Sequence, residues 1–270
     1  MKTLIFIETI FLLVMTSCGS DNASTDSFIT VDVTKSSYSP KKELVLQDFM
    51  DVEYIPLETN DEFINHGYVQ AIGKKYIIVR NYNNDGDIFV YDRKGKAICK
   101  INRKGQGGEE YISCRSVTLD EENEELFIND FLARKITVYD LKGNFKRSFK
   151  QKQEGDTQFY LDIIDYDKDN LICYDECNAD IPFLLVSKQD GSITKEIITP
   201  FKEKKLFIQL LRYEGGTRAA GPGPYSRITP FKGNWILLEP SSDTIYTLMP
   251  DCSLRPFIAK TPPAVSYTHL

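Results

Sequence analysis

Three stretches of the chain repeat one pattern at a fixed interval. Ile88-Phe89-Val90-Tyr91-Asp92-Arg93-Lys94-Gly95 returns as Ile136-Thr137-Val138-Tyr139-Asp140-Leu141-Lys142-Gly143, and more loosely as Leu184-Leu185-Val186-Ser187-Lys188-Gln189-Asp190-Gly191. The valines stand at 90, 138 and 186 and the glycines at 95, 143 and 191, a period of 48 residues each time. A period between about 20 and 50 residues implies stacked supersecondary units, none of which can bury its apolar face alone. The chain must fold as an array.

Each copy reads as a strand and a tight turn. Ile136-Thr137-Val138-Tyr139 is β-branched and aromatic with alternating sides, which suits a sheet. Lys142-Gly143-Asn144 supplies a turn where glycine takes a positive φ at little steric cost, and Asn144 to Phe149 restarts the alternation. Upstream, Ser116 to Asp120 and Glu125 to Asp130 read as two more strands joined by an acidic turn. Four short antiparallel strands per period is the content of one propeller blade. The next period keeps the order, with strands at Leu161 to Asp165 and Leu171 to Tyr174. A stretched fourth unit runs through Asn234 to Leu238, Asp243 to Leu248 and Leu254 to Ile258, with a Lys-, Gly- and Pro-containing insertion between Phe201 and Pro230 read as a long loop. The fold class is all-β, a propeller of four-stranded antiparallel blades.

These residues also carry a resemblance. Gly105-Gln106-Gly107-Gly108-Glu109-Glu110-Tyr111, then a strand, then Leu126 to Asp130, Ile136 to Asp140 and Gly143 resemble an NHL-type repeat. With Asp51 to Thr59 and Asp243-Thr244-Ile245-Tyr246, the chain is similar to the six-bladed β-propeller lipoproteins of Gram-negative gut anaerobes over about residues 40–258. The resemblance implies six blades and an envelope location. It carries over no catalytic residue, because that family has no general assigned activity. About four blades are visible where six are implied, so the chain reads as C-terminally truncated. In a closed ring a strand at Val52 to Leu57 would complete the last blade, and Thr261 to Leu270 does not continue the pattern. An open array of this kind exposes an unpaired strand edge.

The expected organisation is a lipoprotein signal peptide at 1–17, a lipidated Cys18 with a flexible tether through 40, a partial propeller at 41–258 and a non-fitting tail at 259–270. Lys2 is a minimal basic start, and Leu4 to Met15 is an apolar stretch interrupted by Glu8 and too short to span a bilayer. Met15-Thr16-Ser17-Cys18 then places small residues before a cysteine, as at a lipoprotein processing site. Several acyl chains on Cys18 would anchor stably where one would not. The expected location is the outer membrane, facing periplasm or cell surface. Five cysteines remain, at 99, 114, 173, 177 and 252, and an odd number cannot all pair within one chain. Most read as scattered buried thiols.

Composition excludes several function classes. Removing the signal takes away Lys2 and Glu8, so the net charge stays at −6, and an acidic chain without a basic stripe is a poor nucleic-acid binder. The two histidines, His66 and His269, and the lack of a G-x-S-x-G elbow leave no hydrolytic triad. Asn81 to Asp92 and Asp165 to Asn170 loosely imitate calcium loops, since hard oxygens alternate along them. Both fall where a hairpin turn is required, so turns are the expectation and no cofactor is called for. Gly105 to Gly108 lacks the G-K-[ST] of a phosphate loop, and Gly221-Pro222-Gly223-Pro224-Tyr225 reads as its counterpart. Both read as linkers leading into an innermost strand, with Tyr111 and Tyr225 packing between blades.

That alignment supplies the candidate ligand-binding residues. Arg115 and Arg227 follow the two tyrosines and should fall near the channel mouth, where fixed bidentate donors suit an anionic or sugar-like ligand. Asp130, Asp175 and Glu239 end the second strands of successive units and should ring one face, with turn capping as the plainer role. The leading expectation is a lipid-anchored binding module for an envelope protein, carbohydrate or peptide. The alternative is a calcium-dependent propeller lyase, lactonase or sugar hydrolase with carboxylates in the channel, and fold analogy cannot choose between them.

Overall fold

Short runs of β-branched and aromatic residues ending in glycine turns build one sheet after another along the chain. The computed structural model describes residues 28–32, 43, 45–83, 85–151, 160–176, 180–204, 209–213, 216–220 and 226–261. Blade I comprises β2 (Gly67–Ile72), β3 (Tyr76–Asn81), β4 (Ile88–Asp92) and β5 (Ala97–Ile101). Blade II comprises β6 (Ser116–Asp120), β7 (Glu125–Asp130), β8 (Lys135–Asp140) and β9 (Phe145–Lys150). Blade III comprises β10 (Tyr160–Asp165), β11 (Asn170–Asp175), β12 (Phe183–Ser187) and β13 (Ile193–Ile197). Blade IV comprises β16 (Ile228–Phe231), β17 (Asn234–Leu237), β18 (Thr244–Leu248) and β19 (Leu254–Thr261). Each blade is an antiparallel sheet in chain order, and the first strand β6 touches both β2 and β10, so the first strands form the channel wall. The fold is a β-propeller.

The 48-residue repeat has a physical cause. Gly95, Gly143 and Gly191 have φ of +81°, +81° and +77°, and each follows the third strand of its blade. The pairing of third and fourth strands slips by one residue in all three blades, at Val90/Tyr91, Val138/Tyr139 and Leu185/Val186. An αL glycine beside a one-residue bulge is the local solution that increases strand twist. A Cβ on Gly143 would also meet Ile101 of blade I at 3.0 Å, and one on Gly191 would meet Phe149 of blade II at 2.4 Å. The glycine therefore serves both the turn and the seam with the preceding blade.

Seams between blades hold the core. Blades I and II bury Ile88, Val90, Ile101, Val117, Leu126 and Tyr139 around Tyr111. Blades II and III enclose Phe127, Val138, Phe149, Leu171 and Val186, and blades III and IV enclose Ile172, Phe183, Leu185, Leu237 and Leu248. Tyr111 does pack between blades as expected, and its hydroxyl donates to the Gly86 carbonyl at 2.6 Å. Gly221 to Tyr225 lie outside the described residues.

Several boundaries differ from the sequence reading. Val52 to Leu57 forms no strand, because its contacts are made by side chains: Ile55 and Leu57 pack on Phe63, Ile77, Val79, Phe89 and Tyr91 of blade I. Pro56 faces Gly95 as Ile101 faces Gly143, so this segment stands where a preceding blade's outer strand would stand. Within the expected tether, β1 (Ile29–Asp32) pairs in parallel with β19, its Ile-Thr-Val run supplying edge-strand residues. Strand β19 extends to Thr261, into the segment assigned to the tail. The insertion between blades III and IV carries a hairpin of β14 (Gln209–Tyr213) and β15 (Gly216–Ala220) rather than loop alone. The signal segment, Cys18, Cys177, His269 and residues 262–270 lie outside the described residues.

Candidate functional site

Strand direction decides which residues share an end of the channel. Arg115 immediately precedes β6 and Arg227 precedes β16, while Asp130 and Asp175 end β7 and β11, and Glu239 lies just past β17. Second strands run back toward the start of first strands, so all five residues gather at one mouth.

The acids at this mouth hold the chain in place. Asp130 is fully buried and accepts the backbone N–H groups of Ile112 (2.8 Å), Ser113 (3.1 Å) and Ala133 (3.1 Å), plus the Ser113 hydroxyl (3.0 Å). It thereby fixes the segment that leads into β6. Glu239 accepts from the Ser241 N–H at 2.8 Å, the Tyr174 hydroxyl at 3.2 Å and Lys204 Nζ at 2.7 Å. Lys204 comes from the start of the insertion and lies over the Tyr174 ring, so this buried pair pins the insertion to the seam of blades III and IV. Asp175 is fully buried at the end of β11.

The arginines are arranged differently. The Arg115 guanidinium lies over the Phe131 ring at 5.4 Å and the Arg227 guanidinium over the Tyr174 ring at 5.9 Å. Such ring faces attract and orient the planar cation. Among the described residues neither guanidinium has a hydrogen-bond partner, although Arg227 is 5% exposed and its Nε is buried. Asp162 on β10 joins them, its Oδ2 accepting the Arg227 backbone N–H at 2.6 Å. Burial raises the Asp162 pKa from its ordinary value, and neither that hydrogen bond nor the Arg227 and Arg115 charges fully offset it. Glu176 adds a second carboxylate within electrostatic reach of Asp162 and Arg115, and Arg80 of blade I adds a third guanidinium. Sequence reading found Arg115 and Arg227 but missed Asp162, Glu176 and Arg80, since none occupies a repeated position.

The opposite mouth is built from the turns between first and second strands. A cavity of about 730 Å³ lies there, lined by Ile72, Lys75, Leu119, Asp120, Tyr166 and Lys188 among others. Lys188 Nζ is buried between Asp120 Oδ2 and Asp165 Oδ1, 2.6 Å from each, and joins blades II and III. Glu121 caps the β2–β3 turn by accepting the N–H groups of Lys74 (2.8 Å), Lys75 (2.7 Å) and Tyr76 (3.1 Å).

Other sequence candidates resolve into local structure. Asp85 accepts from the Asn81 amide and the Asp87 N–H, and Asp92 accepts from the Lys94 and Lys96 N–H groups. Asp167 accepts from the Asp169 and Asn170 N–H groups. Both calcium-like segments are therefore turns capped by their own acids. The Gly107 N–H donates to the Glu110 carboxylate at 2.8 Å, so an internal anion occupies the glycine loop. His66 precedes β2, with its ring 5.0 Å from that of Tyr82. Cys99, Cys114, Cys173 and Cys252 stand outside disulfides, and 114 and 173 are buried.

Comparison with known proteins fits this architecture. A family described as a domain of unknown function, DUF4934, matches residues 28–259. The chain belongs to the DUF4934 family. Among solved structures, this DUF4934 chain is similar to the "Putative exported protein (BF0058)" of Bacteroides fragilis NCTC 9343, with a TM-score of 0.57 and 16% identity. That alignment covers 86% of the DUF4934 chain and 59% of the other, so the chain spans less than two thirds of that protein's length. At this identity the likeness speaks for fold alone. Hsv2 of Kluyvelomyces marxianus aligns at TM-score 0.42 and 11% identity, over 66% of this chain and 50% of that one. Virginiamycin B lyase of Staphylococcus aureus aligns at 0.38 and 14%, over 73% and 70%. Those two scores are too low to carry an argument. Comparison with proteins of curated function gives no match. Among the described residues of this DUF4934 protein, no helix is long and apolar enough to cross a membrane.

Proposed function

We propose that the protein is a non-enzymatic binding module of the cell envelope whose channel mouth captures the anionic group of a carbohydrate or peptide ligand. One observation carries this reading. Arg115 and Arg227, from two blades, are each held on an aromatic face with no hydrogen-bond partner for the guanidinium among the described residues. A guanidinium offers five donors in a fixed fork that matches carboxylate, sulfate or phosphate oxygens. The enzymatic alternative asks for the acids that end the second strands, Asp130 and Glu239, to stand open in the channel. Asp130 instead binds the backbone leading into β6, and Glu239 binds Ser241, Tyr174 and Lys204.

The variant Arg115→Ala tests the reading, because Arg115 is exposed and its loss leaves the seams intact. On an array of acidic oligosaccharides and acidic peptides, we expect the wild-type protein to retain a subset. Calorimetry on those ligands should show affinity falling at least about tenfold in the variant, as loss of a charge-assisted bidentate contact requires. Unchanged affinity in the variant contradicts the proposal.

The envelope address rests on Met15 to Cys18 and on the likeness to NHL-like lipoproteins. With Cys18 acylated, the propeller would hang from the outer membrane on a polar tether, facing periplasm or cell surface. Cells fed labelled palmitate should transfer label to the full chain and not to Cys18→Ala. Equal labelling of both would exclude the anchor.

A further inference from the structure

The mouth that holds Arg115 and Arg227 is not a plain cationic patch. Asp162 on β10, bonded to the Arg227 backbone, lies within electrostatic reach of both guanidinium groups. Its Oδ2 is committed to the Arg227 backbone N–H at 2.6 Å. Among the described residues nothing hydrogen-bonds its Oδ1, so this oxygen is an available acceptor. A ligand carrying only anionic groups would bring negative charge against that carboxylate at a cost. The arrangement suits a ligand that presents an anion to the guanidinium forks and a neutral hydrogen-bond donor to Asp162 Oδ1.

The nature of that donor follows from the charges around it. An ammonium group placed at Asp162 would lie within reach of the Arg227 and Arg115 cations, whose repulsion works against the attraction of Asp162 and Glu176. A hydroxyl has no charge to repel, and it donates to a carboxylate through a short, strong bond. Carboxylate and hydroxyl on neighbouring carbons is the pattern of an acidic sugar.

We infer that the site recognises uronic-acid residues of an acidic polysaccharide, with Arg115 and Arg227 binding the carboxylate and Asp162 accepting a bond from an adjacent hydroxyl. This rests on the proposed anion-binding role of the two arginines and narrows it to one ligand class.

The test is a pair of probes against one conservative variant. Trigalacturonate supplies carboxylates on hydroxyl-bearing rings, with a free hydroxyl next to the carboxylate-bearing carbon at its non-reducing end, and tricarballylate supplies carboxylates without any hydroxyl. Asp162→Asn keeps an oxygen for the Arg227 N–H but sets an amide donor where the hydroxyl needs an acceptor. It also removes a negative charge. Measured by calorimetry on the full chain, Asp162→Asn should bind trigalacturonate about tenfold more weakly and tricarballylate more tightly than wild type does. Arg115→Ala should weaken both.

Tightening of both probes by Asp162→Asn, with both still lost in Arg115→Ala, would overturn the uronic-acid assignment and leave the anion site standing. Absence of trigalacturonate binding to wild type, with tricarballylate bound through Arg115, would do the same. Indifference of both probes to Arg115→Ala would overturn the inference together with the reading beneath it. Thermal melts of both variants within a few degrees of wild type establish that each is folded.

Discussion

Replacing Lys188 with Met should destabilise the protein by about 3–5 kcal/mol, the usual cost of removing one partner from a buried ion pair. Lys188 Nζ reaches Asp120 and Asp165 at 2.6 Å each, and the Asp120 side chain is 2% exposed. Methionine fills similar volume but leaves Asp120 charged in the seam of blades II and III. Only the Asn123 amide and backbone N–H, at 2.9 Å and 3.1 Å, would remain to it. In a domain of this size the loss should appear as a fall of about 10 °C or more in melting temperature. The double variant Lys188→Met with Asp120→Asn should recover much of it, because the stranded charge is then gone.

The pH dependence has a definite sign. Burial works to raise the Asp120 pKa, but the bonds from Asn123 and Lys188 overcome it and hold the group below its ordinary value. A carboxylate with a depressed folded pKa stabilises the fold above its unfolded pKa, about 3.9, and loses that stabilisation as pH falls through the folded value. Asp165 behaves oppositely, since burial leaves its pKa raised even with Lys188 beside it. In Lys188→Met the Asp120 pKa should rise, so protonation relieves the variant first. The stability gap between wild type and variant should therefore narrow as the pH drops toward about 4. A gap that is constant with pH would mean that Lys188 acts by packing and not by charge.

The second large effect is expected at Tyr111. Its ring is fully buried between blades I and II and meets Tyr139 edge-on, with centroids 6.0 Å apart. Its hydroxyl donates to the Gly86 carbonyl at 2.6 Å and accepts the Arg103 N–H at 3.1 Å. Tyr111→Ala removes a large ring from a packed seam and should cost about 3–5 kcal/mol. Tyr111→Phe keeps the ring and loses only the two bonds, so about 1–2 kcal/mol is expected. Urea titrations of both variants separate these contributions. Equal losses would show that the hydroxyl, and not the ring, joins the blades.

The contrast between these residues explains what the sequence could reveal. The αL glycines were legible because turn chemistry is local and recurs every 48 residues, and Tyr111 because its glycine-rich lead-in loop has a counterpart ending at Tyr225. Arg115 and Arg227 could be found because each follows a similar lead-in loop, so the repeat itself set them at one mouth. Lys188 was not legible as an ion-pair partner. It lies in the worn third copy, where it read as a turn residue, and Asp120 stands 68 positions away in the chain. Asp162 and Arg80 escaped for a related reason, since their role comes only from neighbours on other blades. Strand β1 and the β14–β15 hairpin escaped because each is short and lies outside the period. Asp130 and Glu239 were placed at the right end, but sequence could not say that backbone N–H groups surround one and Lys204 the other.

Arginine Nε–Hε resonances offer the most direct test of the binding mouth. Titrating the labelled protein with the tightest acidic oligosaccharide from the array should shift the signals of Arg115 and Arg227 together. Both should then exchange more slowly with solvent as their forks close on the ligand. Signals of Arg103 and Arg147, which already donate to the Gly143 and Lys188 carbonyls, should stay in place. Saturated binding with the Arg115 and Arg227 signals unmoved would put the ligand elsewhere and contradict the account.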